Sequence, residues 1–137
     1  GNCLLMSFHG MPRTAAGSVA YRDACFRTAK RLAETLELDA PDWRVGFQSR
    51  FGYGKWIEPC TETTLAALGQ KGLKRLDVVC PGFSADCLET LWEIAVEGKA
   101  VFQKSGGGEF NFVPCLNGDD AWIHALTEIS SGCLKDG

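Results

Sequence analysis

Four carboxylates are spaced along one predicted helix so that they fall on the same side of it. Asp86, Glu89, Glu93 and Glu97 follow a Pro-Gly loop at the end of an apolar run, and at ~100° per residue they lie within roughly 80° of one another on the helix circumference. Such a row can pass cations or protons toward a site at the start of the helix. Imidazole with carboxylates suits a divalent first-row metal, and His9 is the candidate imidazole.

The same carboxylates also have a purely structural interpretation. Asp86 and Glu89 fit an N-cap with its capping-box partner, and acidic residues in a first helical turn complement the helix dipole. The apolar residues of the helix fall on its other side, so Glu93 and Glu97 can equally form a solvated face. Periodicity alone leaves both interpretations open.

Strands and helices alternate along the chain, which sets where these residues meet. The predicted strands are residues 4–8, 43–48, 73–80 and 110–115. The predicted helices are residues 19–38, 61–70 with Thr61 as its cap, 86–104 and 119–129. This order predicts an α/β fold with a four-stranded parallel sheet and helices on both faces. Ligands of such sheets bind outside the carboxyl ends of the strands, so the strand ends bring His9, Ser49, Arg50 and Asp86 to one rim.

Composition narrows the class of protein. The 137 residues are 45% hydrophobic and 23% charged, which is typical of a globular protein with room for one domain, residues 1–137. A net charge of −3 and a pI near 5.4 argue against a nucleic-acid surface. No apolar run approaches the ~18 residues of a transmembrane span and no signal peptide is apparent, so we expect a cytoplasmic protein.

Cysteine and glycine patterns exclude several kinds of site. The seven cysteines are an odd number with no CxxC pair, so neither a disulfide framework nor a closed structural zinc site is expected. GxGxxG, Walker A and GxSxG motifs are absent, which argues against nucleotide binding and serine hydrolysis.

The segment SRFGYGKW, residues 49–56, interleaves aromatic residues with Arg50 and Lys55. Its rings could stack on a flat apolar ligand while the cations meet the ligand's carboxylates. Alternatively, the aromatic residues only anchor a loop to the core. The pattern by itself does not separate these two possibilities.

Four ordered segments, LLMSFHGMP, FQSRFGYGKW, VVCPGFSADCLETLWEI and VPCLNG, resemble the second half of a proteobacterial-type ferrochelatase. Ferrochelatases insert ferrous iron into protoporphyrin IX to form protoheme. The resemblance covers residues 4–129 and implies a chelatase-like domain, one of the two in the full enzyme. It implies three partners: protoporphyrin IX, Fe(II) as substrate, and a missing amino-terminal domain.

The resemblance also assigns roles to individual residues. It implies that His9 and Glu89 face each other across the porphyrin cleft, as catalytic residues and metal contacts. It implies an acidic path away from the cleft, formed by Asp86, Glu93 and Glu97. The porphyrin contacts that it implies are Ser49, Arg50 and Trp56.

Two departures from the family pattern limit what the resemblance implies. Cys87 stands where some relatives carry a histidine, so a second imidazole is not available near the metal. Relatives with a 2Fe–2S cluster need four cysteines, several in a carboxyl-terminal extension, whereas this chain ends with only Cys133. We therefore expect no such cluster and no permanently bound cofactor.

Two other functions remain open. One is a cobalt chelatase of tetrapyrrole (cobalamin) biosynthesis, although such sites tend to use more histidine. The other is a non-catalytic tetrapyrrole-binding or metal-binding module. Because the resemblance covers only one half of an enzyme, we expect this chain to have little or no chelatase activity alone.

Overall fold

A four-stranded parallel sheet forms the centre of the computed structural model, which describes residues 1–135. The strands are β1 Asn2–His9, β2 Trp43–Gln48, β3 Arg75–Val79 and β4 Glu109–Phe112. Their order across the sheet is β2-β1-β3-β4, and every neighbouring pair is parallel. The predicted parallel sheet is confirmed. The predicted domain, residues 1–137, extends two residues beyond the described part.

Helices cover both faces of this sheet. The helices are α1 Ser18–Thr35, α2 Thr61–Gln70, α3 Leu88–Leu91, α4 Lys99–Lys104 and α5 Asp120–Lys135. Along β1, Leu5 belongs to an apolar cluster with α2 and α4, whereas Met6 belongs to a second cluster with α1. Successive residues of a strand point to opposite faces, so this alternation confirms that helices lie on both sides. It also explains why β1 is buried along most of its length.

The predicted helix at residues 86–104 is wrong as a single regular helix. After α3 the chain forms a π-helical segment, Glu93–Gly98, before α4 begins. The Glu97 amide donates to the Trp92 carbonyl oxygen at 2.9 Å, which is the i→i+5 bond of a π turn. The 100° spacing used to align the carboxylates therefore does not apply between Glu93 and Glu97.

Two predicted helix caps are also wrong. The N-cap of α3 is Cys87 instead of Asp86, and its capping-box partner is Thr90 instead of Glu89. The Cys87 amide donates to Thr90 Oγ1 at 3.0 Å, which leaves the Glu89 side chain free of this role. The N-cap of α2 is Cys60, and Thr61 is the first residue of the helix.

Gly46 marks the point where β2 packs against the start of α2. A Cβ atom at this position would lie 2.5 Å from Thr61 Oγ1 and 2.9 Å from Thr61 Cα. A contact this short with helix backbone forces the strand and the helix apart. The absence of a side chain therefore permits the close approach.

Replacement of Gly46 by alanine should lower the free energy of unfolding by about 1 to 3 kcal/mol, the usual cost of overpacking a filled interior. Chemical denaturation of the variant and the wild type measures this difference. Gly118→Ala is the matched control, because a Cβ atom there has nothing within 4 Å. Equal stability of Gly46→Ala and wild type would contradict the close packing of β2 on α2.

Several smaller observations complete the fold. All seven cysteines are free thiols. Helix α5 exposes four large apolar side chains: Ile123, Leu126, Ile129 and Leu134. His124 in α5 is exposed. Within residues 1–135 no helix is both long enough and apolar enough to cross a bilayer.

Candidate functional site

His9 ends β1 at the carboxyl edge of the sheet, and its imidazole is exposed. Its Nδ1 lies 2.7 Å from the Gly10 carbonyl oxygen. A carbonyl oxygen can only accept a hydrogen bond, so Nδ1 carries the proton of the neutral imidazole and Nε2 carries the lone pair. The Tyr21 hydroxyl donates to the His9 carbonyl oxygen at 2.8 Å. His9 therefore presents Nε2 as a base or metal ligand from a fixed backbone.

Glu89 lies in the single turn of α3. Its pKa lies below the ordinary value because the Cys87 thiol donates a hydrogen bond to the carboxylate and the Glu89 amide also donates to it, and a protonated His9 imidazole would favour ionisation further. Gln48 lies opposite His9 in the register of β1 and β2 and donates to the Glu89 carbonyl oxygen at 2.6 Å, so both predicted catalytic residues lie at the carboxyl edge of the sheet. The arrangement pairs a basic nitrogen with a carboxylate that stays ionised at neutral pH.

Asp86 connects the loop after β3 to the segment after β4. Its carboxylate accepts hydrogen bonds from Thr90 Oγ1 at 3.0 Å, Asn117 Nδ2 at 2.9 Å and the Cys115 amide at 3.3 Å. Burial raises the pKa of Asp86, but the hydrogen bonds from Asn117, Cys115 and Thr90 outweigh it and hold the pKa below its usual value. Sequence reasoning assigned no role to Thr90 or to Asn117.

The Asp86 carboxylate should stabilise the fold in a pH-dependent way. Because its folded-state pKa lies below the ordinary value of 3.8, its contribution is full above about pH 4 and is lost as the pH falls through the folded-state pKa. We therefore expect Asp86→Ala to destabilise the protein most near pH 7 and progressively less below pH 4. Urea denaturation across this range measures the difference. An equal destabilisation at all pH values would contradict the assigned hydrogen bonds.

Ser49, which the resemblance implies as a porphyrin contact, donates to a carboxylate beneath the rim. It is only 2% exposed, and its amide and hydroxyl donate to the Glu93 carboxylate at 2.6 and 2.7 Å. The backbone of Ser49 has φ = 59°, a left-handed conformation that is uncommon outside glycine. Glu93 therefore fixes the turn by which the chain leaves β2.

A cleft of about 290 Å³ opens beside Glu89. Its lining residues are Ser49, Arg50, Phe51, Leu88, Glu89, Trp92, Glu93 and Glu97. Leu88 and Trp92 are 74% and 54% exposed, which is unusual for large apolar side chains that lie side by side. The cleft therefore combines an apolar wall with carboxylates and one guanidinium group, from Arg50.

The loop between β2 and α2 is anchored to the core and also supplies side chains to the rim. Ile57 is buried, while Phe51 and Tyr53 are exposed. Trp56 pairs with Pro12 across an isolated antiparallel bridge, and its ring packs against Gly10, where an added Cβ would lie 3.3 Å from it. Trp56 is thus beside His9, whereas the 290 Å³ cleft lies on the Glu89 side.

A second cleft, of about 260 Å³, lies between α2 and the π-helical segment. Its lining carboxylates are Glu62, Glu93 and Glu97, of which the last two also line the first cleft. Sequence reasoning missed Glu62. Among residues 1–135 no three histidine, cysteine or acidic side chains are arranged to hold a metal ion together.

Comparison with known proteins identifies the family. The sequence model of the ferrochelatase family matches residues 1–132. The chain belongs to the ferrochelatase family. A ferrochelatase from Polaromonas sp. is 53% identical over 129 residues, 93% of this chain. One from Methylobacillus flagellatus is 49% identical over 133 residues, 96% of this chain. The resemblance seen in the sequence is confirmed.

These ferrochelatases are much longer than the chain described here. The matched regions amount to 35% of the Polaromonas protein and 39% of the Methylobacillus protein. The fold also resembles a solved structure, a putative cobalamin (vitamin B12) biosynthesis CbiX protein from Marinobacter aquaeolei. The two superpose with a TM-score of 0.63 at 14% identity, covering 100% of both chains, a likeness that shows the fold alone.

Proposed function

We propose that this chain is the carboxyl-terminal domain of an enzyme that inserts Fe(II) into protoporphyrin IX to form protoheme. The observation that carries the proposal is the ferrochelatase match over residues 1–132. The placement of His9 and Glu89 at one rim supports it, because metal insertion needs a proton acceptor beside a group that tolerates a cation. Because the match amounts to 35% of the Polaromonas protein, we assign the other wall of the porphyrin cleft to the part of the relatives' length that this chain does not span.

His9 is the proton acceptor in this proposal. Insertion breaks two pyrrole N–H bonds, releases two protons and forms bonds from Fe(II) to the four ring nitrogens without a change of oxidation state. His9 is exposed, so its Nε2 can accept one pyrrole proton, release it to water and then accept the second. The ionised Glu89 carboxylate stabilises the resulting imidazolium and offers an oxygen ligand to the incoming metal.

Among the residues proposed for the acidic path, Glu97 is the main carrier. Asp86 and Glu93 accept hydrogen bonds from neighbouring groups, whereas Glu97 is exposed and lines both clefts. Its carboxylate oxygens can therefore replace water ligands of a hydrated cation. Asp86 and Glu93 contribute negative charge along the same route.

The groups around the rim indicate which residues contact the porphyrin. Arg50 lies in the cleft and pairs with Glu58 at 3.4 Å, so a ligand carboxylate would compete for its guanidinium group. Trp56 offers a ring beside His9, and Leu88 and Trp92 offer apolar surface beside Glu89. We propose that the macrocycle lies against these groups and that the enzyme uses neither a resident metal cofactor nor a 2Fe–2S cluster.

Iron insertion measured with and without the rest of a ferrochelatase tests this proposal. A chimera in which this chain replaces the matching 129 residues of the Polaromonas protein supplies the complete enzyme. We expect the chimera to form protoheme from Fe(II) and protoporphyrin IX, and the isolated chain to form little or none. The preparation of the chimera should be colourless before porphyrin is added.

The same assay separates the competing functions. A cobalt chelatase would prefer Co(II) and a modified tetrapyrrole substrate, and would leave protoporphyrin IX unmetallated. A non-catalytic module would bind porphyrin or Fe(II) in titrations but would not turn over in the chimera. Insertion by the isolated chain at the rate of the Polaromonas enzyme would refute the proposal that a second domain is required.

A further inference from the structure

Gln48 is bonded to the segments that carry both His9 and Glu89. It ends β2, is 3% exposed, and lies opposite His9 in the parallel register of β1 and β2. Its carbonyl oxygen accepts a hydrogen bond from the Gly10 amide at 2.6 Å. The main chain of Gln48 therefore holds the residue that follows His9.

The side chain of Gln48 reaches the other catalytic segment. Its Nε2 donates to the Glu89 carbonyl oxygen at 2.6 Å and lies 3.4 Å from Glu93 Oε2. Its Oε1 accepts a hydrogen bond from Ser7 Oγ at 2.7 Å. Because both groups near Nε2 can only accept, the orientation of the amide is fixed by chemistry.

The direction of the hydrogen bond between Ser7 and Thr61 is fixed as well. Ser7 Oγ also lies 2.8 Å from Thr61 Oγ1. Ser7 has one hydroxyl proton and donates it to Gln48, so Thr61 is the donor to Ser7. The chain of bonds thus runs in one direction from α2, through Ser7 and Gln48, to the Glu89 carbonyl. Among the described residues, no buried side-chain nitrogen or oxygen lacks a partner.

We propose that Gln48 is a positioning residue that sets the separation of His9 and Glu89 by holding the main chain beside both. The expected kinetic effect rests on the proposed function, whereas the hydrogen bonds that support the inference do not depend on it. Gln48 does not touch the reacting atoms; it acts through the backbone of its neighbours. Sequence reasoning missed it, although a glutamine that ends a buried strand was a visible signal.

Because the helix that carries Glu89 is short, the single hydrogen bond from Gln48 Nε2 to the Glu89 carbonyl oxygen affects the position of Glu89. Helix α3 spans only Leu88–Leu91 and runs into the π-helical segment Glu93–Gly98. Isolated helices of this length are unstable in water, so tertiary contacts must hold the turn. Misplacement of a catalytic group by about 1 Å can lower a rate by about 10²-fold.

Kinetics of the chimera carrying Gln48→Met test the inference. Methionine keeps the length of the side chain and removes the donor to the Glu89 carbonyl. We expect the turnover number for iron insertion to fall by about 10- to 100-fold, with the KM for porphyrin within about threefold of wild type, because the apolar wall is unchanged. A turnover number within threefold of wild type would overturn the inference.

Ser7→Ala is the matched control. It removes a buried hydrogen bond to the same amide but leaves the donor end of Gln48 in place. We expect it to lower the melting temperature by a few degrees, about as much as Gln48→Met does, and to keep the turnover number within about threefold of wild type. A loss of turnover as large as that of Gln48→Met would show a merely structural network and overturn the inference.

Hydrogen exchange provides a readout that does not depend on activity. The amides of Thr90, Leu91 and Trp92 donate within the turn that follows Cys87, and their exchange should accelerate by about tenfold in Gln48→Met but not in Ser7→Ala. If Gln48→Met fails to fold, Gln48→Asn takes its place in this measurement. It keeps both polar groups on a shorter side chain, and the same acceleration of exchange is expected. An inactive wild-type chimera would contradict the proposed function, whereas unchanged exchange in a folded Gln48 variant would contradict the positioning role.

Discussion

Replacement of His9 by alanine should lower the turnover number for iron insertion by about 10²- to 10⁴-fold, the usual contribution of a positioned proton acceptor. The reason is the hydrogen bond from Nδ1 to the Gly10 carbonyl, which leaves Nε2 as the free basic nitrogen at the rim. Alanine removes that nitrogen without disturbing the core, because His9 is exposed. The measurement is the initial rate of protoheme formation by the chimera, at saturating porphyrin and Fe(II).

His124→Ala is the control for this experiment, since His124 is an exposed histidine of α5 far along the chain from the rim. It should leave the rate unchanged. The melting temperature of His9→Ala should stay within a few degrees of wild type, which separates loss of chemistry from loss of fold. Full insertion activity of His9→Ala would remove His9 from the mechanism.

Replacement of Glu93 by alanine should lower the free energy of unfolding by about 3 kcal/mol. The Ser49 amide and hydroxyl both donate to the Glu93 carboxylate, and hydrogen bonds to charged groups are worth about 1.5 to 3 kcal/mol each in protein interiors. Alanine would leave these donors without a partner beneath the rim. It would also release the left-handed turn at Ser49, which the carboxylate holds.

Chemical denaturation of the Glu93→Ala and Glu97→Ala variants measures this effect. Glu97 lies in the same π-helical segment and is exposed, so its loss should change the stability by less than about 0.5 kcal/mol. The two variants should therefore separate a structural carboxylate from one that is free to meet cations. A stable Glu93→Ala protein that fails to insert iron would show instead that Glu93 acts mainly in the acidic path.

The sequence sufficed for the fold because its signals were strong and consistent. Alternating apolar runs and amphipathic segments predicted the parallel sheet, and parallel strands bring their carboxyl ends to one edge. This is why His9 and the start of the acidic helix were expected at one rim, whereas the pairing of His9 with Glu89 was implied by the family resemblance. The four-residue spacing of the later carboxylates was less informative, because the π-helical segment Glu93–Gly98 breaks the period on which their alignment depended.

The details that escaped prediction depend on contacts between distant segments. Whether Asp86 caps α3 or bonds to Asn117 is decided by where the segment after β4 passes, and local sequence does not report that. That Ser49 donates to a carboxylate is decided by the position of Glu93. The role of Gln48 required the register of β1 with β2. In each case a long-range partner competes with a local preference and prevails.

The most direct test of the central claim is a double-mutant cycle between His9 and Glu89 in the chimera, read as the turnover number for iron insertion. If the two residues act as a unit on the same proton and metal, their effects are not independent. We predict that His9→Ala combined with Glu89→Gln inserts iron no more than about threefold slower than the worse single variant. Losses that multiply in the double variant, or a double variant with wild-type turnover, would contradict the account.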